Sequence, residues 1–96
     1  MIATDAIITK AQAHRLAVVS HDGLARAINP VHTMSDGDTL FTLGTGASGK
    51  TLGMMTLATM AAEVTALATL RAVLCARGLT TADGLHLPAA ADIAAP

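Results

Sequence analysis

The chain has 96 residues, with six Lys or Arg against seven Asp or Glu and a formal net charge of −1. Only 14% of the residues are charged, 52% are apolar and 1% are aromatic, and the mean hydropathy is +0.54. This balance excludes a disordered, highly charged chain, and without a basic stripe or stacking aromatics it excludes a nucleic-acid-binding module. The length allows one small domain, and so apolar a chain implies that a partner chain or segment covers part of its surface.

Met1 to Ala6 reads as the tail of a strand. Thr9-Lys10-Ala11-Gln12 fits a capping box, with Thr9 as N-cap, Gln12 reaching back and Ile8 placed as a staple. The helix it opens is predicted over residues 10–28. Ala13, Leu16, Ala17, Ser20, Leu24 and Ala27 share one side at three-to-four spacing, a face of small residues that admits a close neighbour. Asp22 and Arg26 make an i,i+4 pair. Gly23 weakens a helix by roughly 1 kcal/mol relative to Ala, which points to close packing at that position. Asn29-Pro30 ends the helix, because the residue before proline avoids helical backbone.

Residues 31–37 form a loop, and Thr39-Leu40-Phe41-Thr42-Leu43 carries a strand signal. A glycine-rich turn follows over residues 44–49. A second helix is predicted over residues 51–77, with Leu57, Met60, Val64, Leu67, Leu70 and Leu74 as its apolar seam. It is nearly apolar all round and is expected to be buried on more than one side. Gly78 fits the position just beyond the helix, with Arg77 at the negative end of the dipole. Residues 79–96 are expected to be mostly irregular. The chain thus divides into a core over residues 1–78 and a C-terminal tail over residues 79–96.

Glu63 and Arg71 interrupt the most apolar stretch, so no membrane span is expected. No basic start or leader precedes Asp5, and a cytoplasmic protein without membrane contact is expected. The single cysteine, Cys75, excludes an internal disulfide or a multi-cysteine zinc site and reads as a packed thiol. His14 and His21 stand at i,i+7, a poor chelating distance, and His32 and His86 lie apart. Met54, Met55 and Met60 read as core fillers. No metal and no cofactor is expected.

Strand tail, helix, strand and helix follow in order. Two strands do not make an independent sheet beneath two long helices. The fold class is therefore α/β, a strand-helix-strand-helix segment that is incomplete on its own.

One constellation is more specific. Ala3-Thr4-Asp5-Ala6, Thr9, Ala11 and Arg15-Leu16-Ala17 lead to His21-Asp22-Gly23-Leu24-Ala25-Arg26-Ala27-Ile28. Pro30-Val31-His32-Thr33 and Asp36-Gly37-Asp38-Thr39-Leu40-Phe41 follow. This ordered series closely resembles the C-terminal (β) segment of the L-aminopeptidase/D-esterase family, which includes β-peptidyl aminopeptidases and nylon-oligomer hydrolases. The likeness is close through the first half of the chain. It continues weakly through Ala61-Ala62-Glu63 and Leu70-Arg71-Ala72-Val73-Leu74.

The resemblance implies a layered α/β/β/α architecture and an N-terminal nucleophile amidohydrolase that acts on small peptides, amides or esters. In such an enzyme the precursor cleaves itself before a Thr or Ser. The new terminal hydroxyl then attacks an amide, with its own α-amine as general base. The resemblance places Asp36 and Asp38 beside that nucleophile, where they orient and tune it. The residues allow this, since two carboxylates flanking a glycine just before a strand can accept hydrogen bonds from a hydroxyl and an ammonium. Read alone, the same three residues also make a simple turn.

The family's nucleophile lies a few residues upstream of the Ala3-Thr4-Asp5-Ala6 element, in a segment like Asn-Thr-Thr-Leu. Here Met1 stands in that region and has no nucleophilic group, so the isolated chain is expected to be inactive. The implied partner is the N-terminal (α) segment of the same enzyme, and the apolar surface implies an oligomer.

Two other readings compete. Gly44-Thr45-Gly46-Ala47-Ser48-Gly49-Lys50-Thr51 fits the phosphate-loop pattern G-x-x-x-x-G-K-[ST] between a predicted strand and a predicted helix. That would make the chain a phosphate- or nucleotide-binding module, although no later strand ending in a metal-binding Asp follows. The other reading is a non-catalytic, truncated remnant.

Overall fold

A computed structural model describes residues 1–93 of the chain. Strand β1 (Ile2–Thr4) leads into helix α1 (Lys10–Ala27), strand β2 (Thr42–Gly44) and helix α2 (Met54–Cys75). Two short strands, β3 (Leu79–Thr80) and β4 (His86–Leu87), and one helical turn, α3 (Ala90–Ile93), complete it. The chain is mixed α/β, and β1 and β2 pair in parallel with α1 as their crossover, in register Ile2 to Thr42 and Thr4 to Gly44.

The start of α1 follows the expected chemistry. The Gln12 N–H donates to Thr9 Oγ1 at 3.1 Å, and the Thr9 N–H donates to Gln12 Oε1 at 2.9 Å. Both donors would otherwise be orphaned at the helix end. The helix stops at Ala27, and extended Ile28 closes it by donating its N–H to the Leu24 carbonyl at 2.8 Å.

Strand β2 is shorter and later than the alternation suggested. Thr39 and Leu40 lie outside it, and Phe41 contributes a carbonyl that accepts from the Ile2 N–H at 2.8 Å. A parallel ladder extends only as far as its partner, and β1 has three residues. Gly44 closes β2 because Ile8 crosses it: a Cβ there would stand 2.8 Å from the Ile8 Cδ1.

The two long helices pack through small residues. Leu16, Ser20 and Gly23 of α1 are buried, and they meet Leu57, Ala61, Ala62 and Thr65 of α2. A Cβ on Gly23 would overlap the Ala62 carbonyl oxygen and lie 2.7 Å from Thr65 Cβ. The glycine therefore permits this approach, as its place in the sequence suggested. The buried hydroxyls need no partner across the interface. Ser20 Oγ donates to the Leu16 carbonyl and Thr65 Oγ1 to the Ala61 carbonyl, each at 2.7 Å.

This crossing corrects the expected seam of α2. Only Leu57 of that seam is buried, whereas Met60, Val64, Leu67, Leu70 and Leu74 are all more than half exposed. Around Gly23 the surface of α1 lies too close for large side chains, so the Ala61, Ala62 and Thr65 stripe turns inward. The apolar core is correspondingly thin: Ile2, Ala6, Leu16, Leu57 and Ala61, flanked by Ile8, Met54 and Ala58.

Other expectations are corrected in detail. Arg26 reaches Glu63 of α2 at 3.8 Å instead of Asp22, and at such exposure the pair contributes little. Cys75 is exposed at the end of α2, which stops there and not at Arg77, so the thiol is not packed. Extended Ala76 caps that end, and Gly78 does not adopt the left-handed backbone of a helix stop. Gly78 instead admits neighbours, since a Cβ there would stand 2.5 Å from Asp92 Oδ2 and 3.3 Å from His86 Cε1. Helix α2 also has 22 residues with a hydropathy of 1.5, long and apolar enough to cross a membrane by length and composition. The expected absence of such a stretch is thereby corrected. In this structure the helix lies along α1.

Residues 79–93 are not irregular. Strands β3 and β4 form an antiparallel hairpin with Leu79 opposite Leu87 and Thr80 opposite His86. Gly84 turns it with φ of 89°, and the Thr80 hydroxyl lies 3.1 Å from His86 Nδ1. The Thr81 hydroxyl donates to the Asp83 carboxylate and, with the Leu85 amide, holds that acid below its ordinary pKa. The last three residues of the expected tail lie outside the described residues.

Candidate functional site

Asp36 and Asp38 stand in an exposed loop, residues 28–41, that leaves α1 and returns to β2. The turn is built from the residues themselves. The Asp36 Oδ2 accepts from the Thr33 N–H at 3.0 Å, and the Asp36 N–H donates back to the Thr33 carbonyl at 3.4 Å. The Ser35 N–H donates to Thr33 Oγ1 at 3.3 Å. One carboxylate oxygen of Asp36 is thus engaged and its second oxygen is available to accept. Among the described residues Asp38 has no hydrogen-bond partner. The Thr39 hydroxyl donates to the Gly37 carbonyl at 3.3 Å, and a Cβ on Gly37 would meet nothing.

The loop lies at the amino end of the parallel pair. In register, Ile2 stands opposite Thr42 and its N–H reaches back to Phe41. The paired register ends at Ile2 opposite Thr42, and residues 38–40 lie outside the strand.

The loop is also tied to α1. The rings of His21 and His32 lie 5.2 Å apart, centre to centre, tilted by 55°. The spacing within α1 directed attention to His14 and His21, two turns apart. The contact that forms instead joins His21 to a residue eleven positions later, across a loop whose path no local pattern encodes.

The glycine-rich stretch sits at the opposite, carboxyl end of the strands. Its amides are turned inward. Thr45 donates to the Thr4 carbonyl at 3.0 Å, Ser48 to the Asp5 carbonyl at 3.0 Å and Gly49 to the Gly46 carbonyl at 3.0 Å. Ala47 and Lys50 donate to the hydroxyls of Thr45 and Ser48, each at 3.2 Å. A phosphate cradle needs those amides free and the helix beginning at the Lys-Thr pair. Here α2 begins at Met54, and Thr51, Leu52 and Gly53 intervene. Asp5 shares the recess of about 570 Å³ that Lys50 and Thr51 line, and its charge opposes phosphate. The geometry does not support the phosphate-loop reading. Titration with ATP-Mg²⁺ is expected to show no binding for the chain or for Lys50→Ala. Micromolar affinity lost in Lys50→Ala would reinstate that reading.

Beside β1, on the edge away from β2, an apolar groove of about 180 Å³ is lined by Ile2, Leu16, Leu57, Met60 and Val64, among others. On the sheet face turned from Ile2, Phe41 and Leu43 are 65% and 52% exposed. The open edge and the bare face are both apolar.

Residues 1–87 match peptidase family S58. An uncharacterized aminopeptidase of Mycobacterium tuberculosis is 55% identical over 47 residues, which are 49% of this chain and 14% of that protein. An uncharacterized aminopeptidase of Mycobacterium leprae is 53% identical over 47 residues, 49% of this chain and 13% of the relative. The chain thus matches only a small part of the length of these relatives.

Proposed function

Since the chain belongs to peptidase family S58, the L-aminopeptidase/D-esterase family, we propose that it supplies the C-terminal (β) segment of an N-terminal nucleophile amidohydrolase. The match and the aminopeptidase names of its relatives support a hydrolase of the peptidase type. The finer reading rests on the parallel register of β1 and β2. Continued beyond its observed end at Thr42, that register would bring an upstream Thr or Ser toward Asp38, at the end of the sheet where Asp36 bonds to Thr33.

In this reading the upstream residue is freed by self-cleavage, and its α-amine takes the proton from its own hydroxyl as it attacks the scissile carbonyl. Asp36 and Asp38 accept hydrogen bonds from the ammonium and the hydroxyl and set which form predominates. They have no part as nucleophiles. The N-terminal (α) segment of the same enzyme supplies strands to the open edge of β1 and a second sheet against Phe41 and Leu43, completing an α/β/β/α sandwich. Small peptides, amides or esters are the substrates, and assembled copies cover the large apolar residues of α2.

The test joins these residues to a family N-terminal segment with its upstream nucleophile element. The joined chain is expected to cleave itself immediately before the Thr or Ser, seen as two bands and a new amino terminus. A folded joined chain that stays intact would overturn the proposal. The 96-residue chain alone is expected to sediment as oligomers or aggregates at micromolar concentration, because its strand edge and apolar faces are uncovered. A monomer that survives dilution and concentration unchanged would count against the need for a partner.

A further inference from the structure

We propose that His21 and His32 form a latch that holds the Asp36 turn against α1, so that both are positioning residues for the Asp36 carboxylate. The proposal rests on the reading of Asp36 as part of the site. Three observations carry it. The ring separation of 5.2 Å and tilt of 55° lie within the range of tilted aromatic contacts. His32, an exposed residue, adopts φ of 56°, left-handed backbone that is uncommon for a non-glycine residue and that fixes the direction in which its ring leaves the loop. His21 Nδ1 is sealed from solvent and has no hydrogen-bond partner among the described residues, so no hydrogen bond there fixes the ring.

The path from latch to carboxylate is short. His32 precedes Thr33, whose N–H donates to Asp36 Oδ2 at 3.0 Å and whose carbonyl accepts from the Asp36 N–H. His21 lies six residues before the end of α1, about 9 Å back along the axis. The loop therefore doubles back along the helix before it turns, and His32 is where a ring fastens it. Without that fastening, Thr33 and Asp36 would still bond to each other, but as a unit free to swing. The carboxylate would keep its partner and lose its address.

Hydrogen–deuterium exchange of the joined chain reads the latch without any catalysis. Asn tolerates left-handed backbone and lacks the ring, so His32→Asn separates ring contact from strain. Exchange of the peptide covering residues 29–38 is expected to quicken about tenfold in His32→Asn and in His21→Ala, with the peptides of α1 and α2 unchanged. His21→Phe keeps a ring in place and is expected to retain the protection. Protection within twofold of the parent in both His32→Asn and His21→Ala would overturn the latch.

The joined, self-cleaved enzyme reads the positioning role. His32→Asn is expected to lower kcat about tenfold at unchanged KM, as misplacement of a reacting group does. Unchanged kcat in His32→Asn while Asp36→Asn is impaired would overturn the positioning role. Full activity in Asp36→Asn itself would overturn the reading of the site, and the exchange result alone then decides the latch.

Discussion

Gly23→Ala is expected to lower the melting temperature of the chain, although alanine at an exposed helical site stabilises by about 1 kcal/mol relative to glycine. The sign reverses because of what the methyl group meets. It would overlap the Ala62 carbonyl oxygen, stand 2.7 Å from Thr65 Cβ and lie 2.9 Å from the Ala66 N. Two of these atoms are backbone of α2, which cannot rotate away as a flexible side chain can. Relief requires α1 and α2 to move apart along their main contact, which also loosens Leu16 and Ser20, the largest fully buried side chains among the described residues. Overpacking of this kind costs about 1–3 kcal/mol. In a domain this small each kcal/mol is worth about 4–8 °C. Thermal denaturation followed by circular dichroism checks it, with Asp22→Ala on the exposed side of the same helix as the control. A rise in melting temperature for Gly23→Ala would mean that the helices do not cross at this distance.

Where the sequence was legible, the determinant was local. The Thr9 and Gln12 box needs four consecutive residues and no tertiary partner, and both of its hydrogen bonds form. Gly23 stood out because a glycine amid good helix formers has a reason to be there, and the Ala62 contact is that reason. The apolar seam of α2 was misread because size and periodicity together favour Leu57, Met60, Val64 and Leu67 as the packed line. Which stripe packs depends on the neighbour, and a helix that presents Leu16, Ser20 and Gly23 selects alanines and a threonine.

The hairpin over residues 79–87 carries no readable sequence signal, for a different reason. Its strands have two residues each, below the length at which alternation carries information. Its stability comes from Gly84, the Thr81 bonds and the Thr80–His86 pair, none of which is a periodic signal. The phosphate-loop letters erred in the opposite direction. The pattern Gly44 to Thr51 records residue types, whereas anion binding depends on where the amides point, and here they point at Thr4, Asp5 and the loop itself. For the candidate site, the Asp36-Gly37-Asp38 turn was legible, but it stands in a loop and not directly before the strand, which begins at Thr42. Their relation to the upstream element is legible only through resemblance, because the observed register of β1 against β2 ends at Thr42.

In the joined and self-cleaved enzyme, Asp36→Asn and Asp38→Ala are each expected to reduce turnover of amino-acid p-nitroanilides by about 10²-fold or more, the usual size for losing a positioned proton-transfer or orienting group. The two should differ in kind. Asp36→Asn keeps an oxygen that can accept the Thr33 N–H, so the turn survives and the loss is that of charge at the nucleophile. Asp38 has no structural partner among the described residues, so its removal should leave the melting temperature unchanged while activity falls. The 96-residue chain assayed alone should show no hydrolysis, because neither carboxylate can replace a terminal hydroxyl with its own amine as base. Full turnover in both variants would remove the two acids from the site. Hydrolysis by the 96-residue chain that survives repurification would place the nucleophile among these residues and overturn the mechanism. A fall in activity that tracks a fall in melting temperature would assign Asp36 to the loop alone, and the charge of Asp38 would then have to carry the tuning by itself.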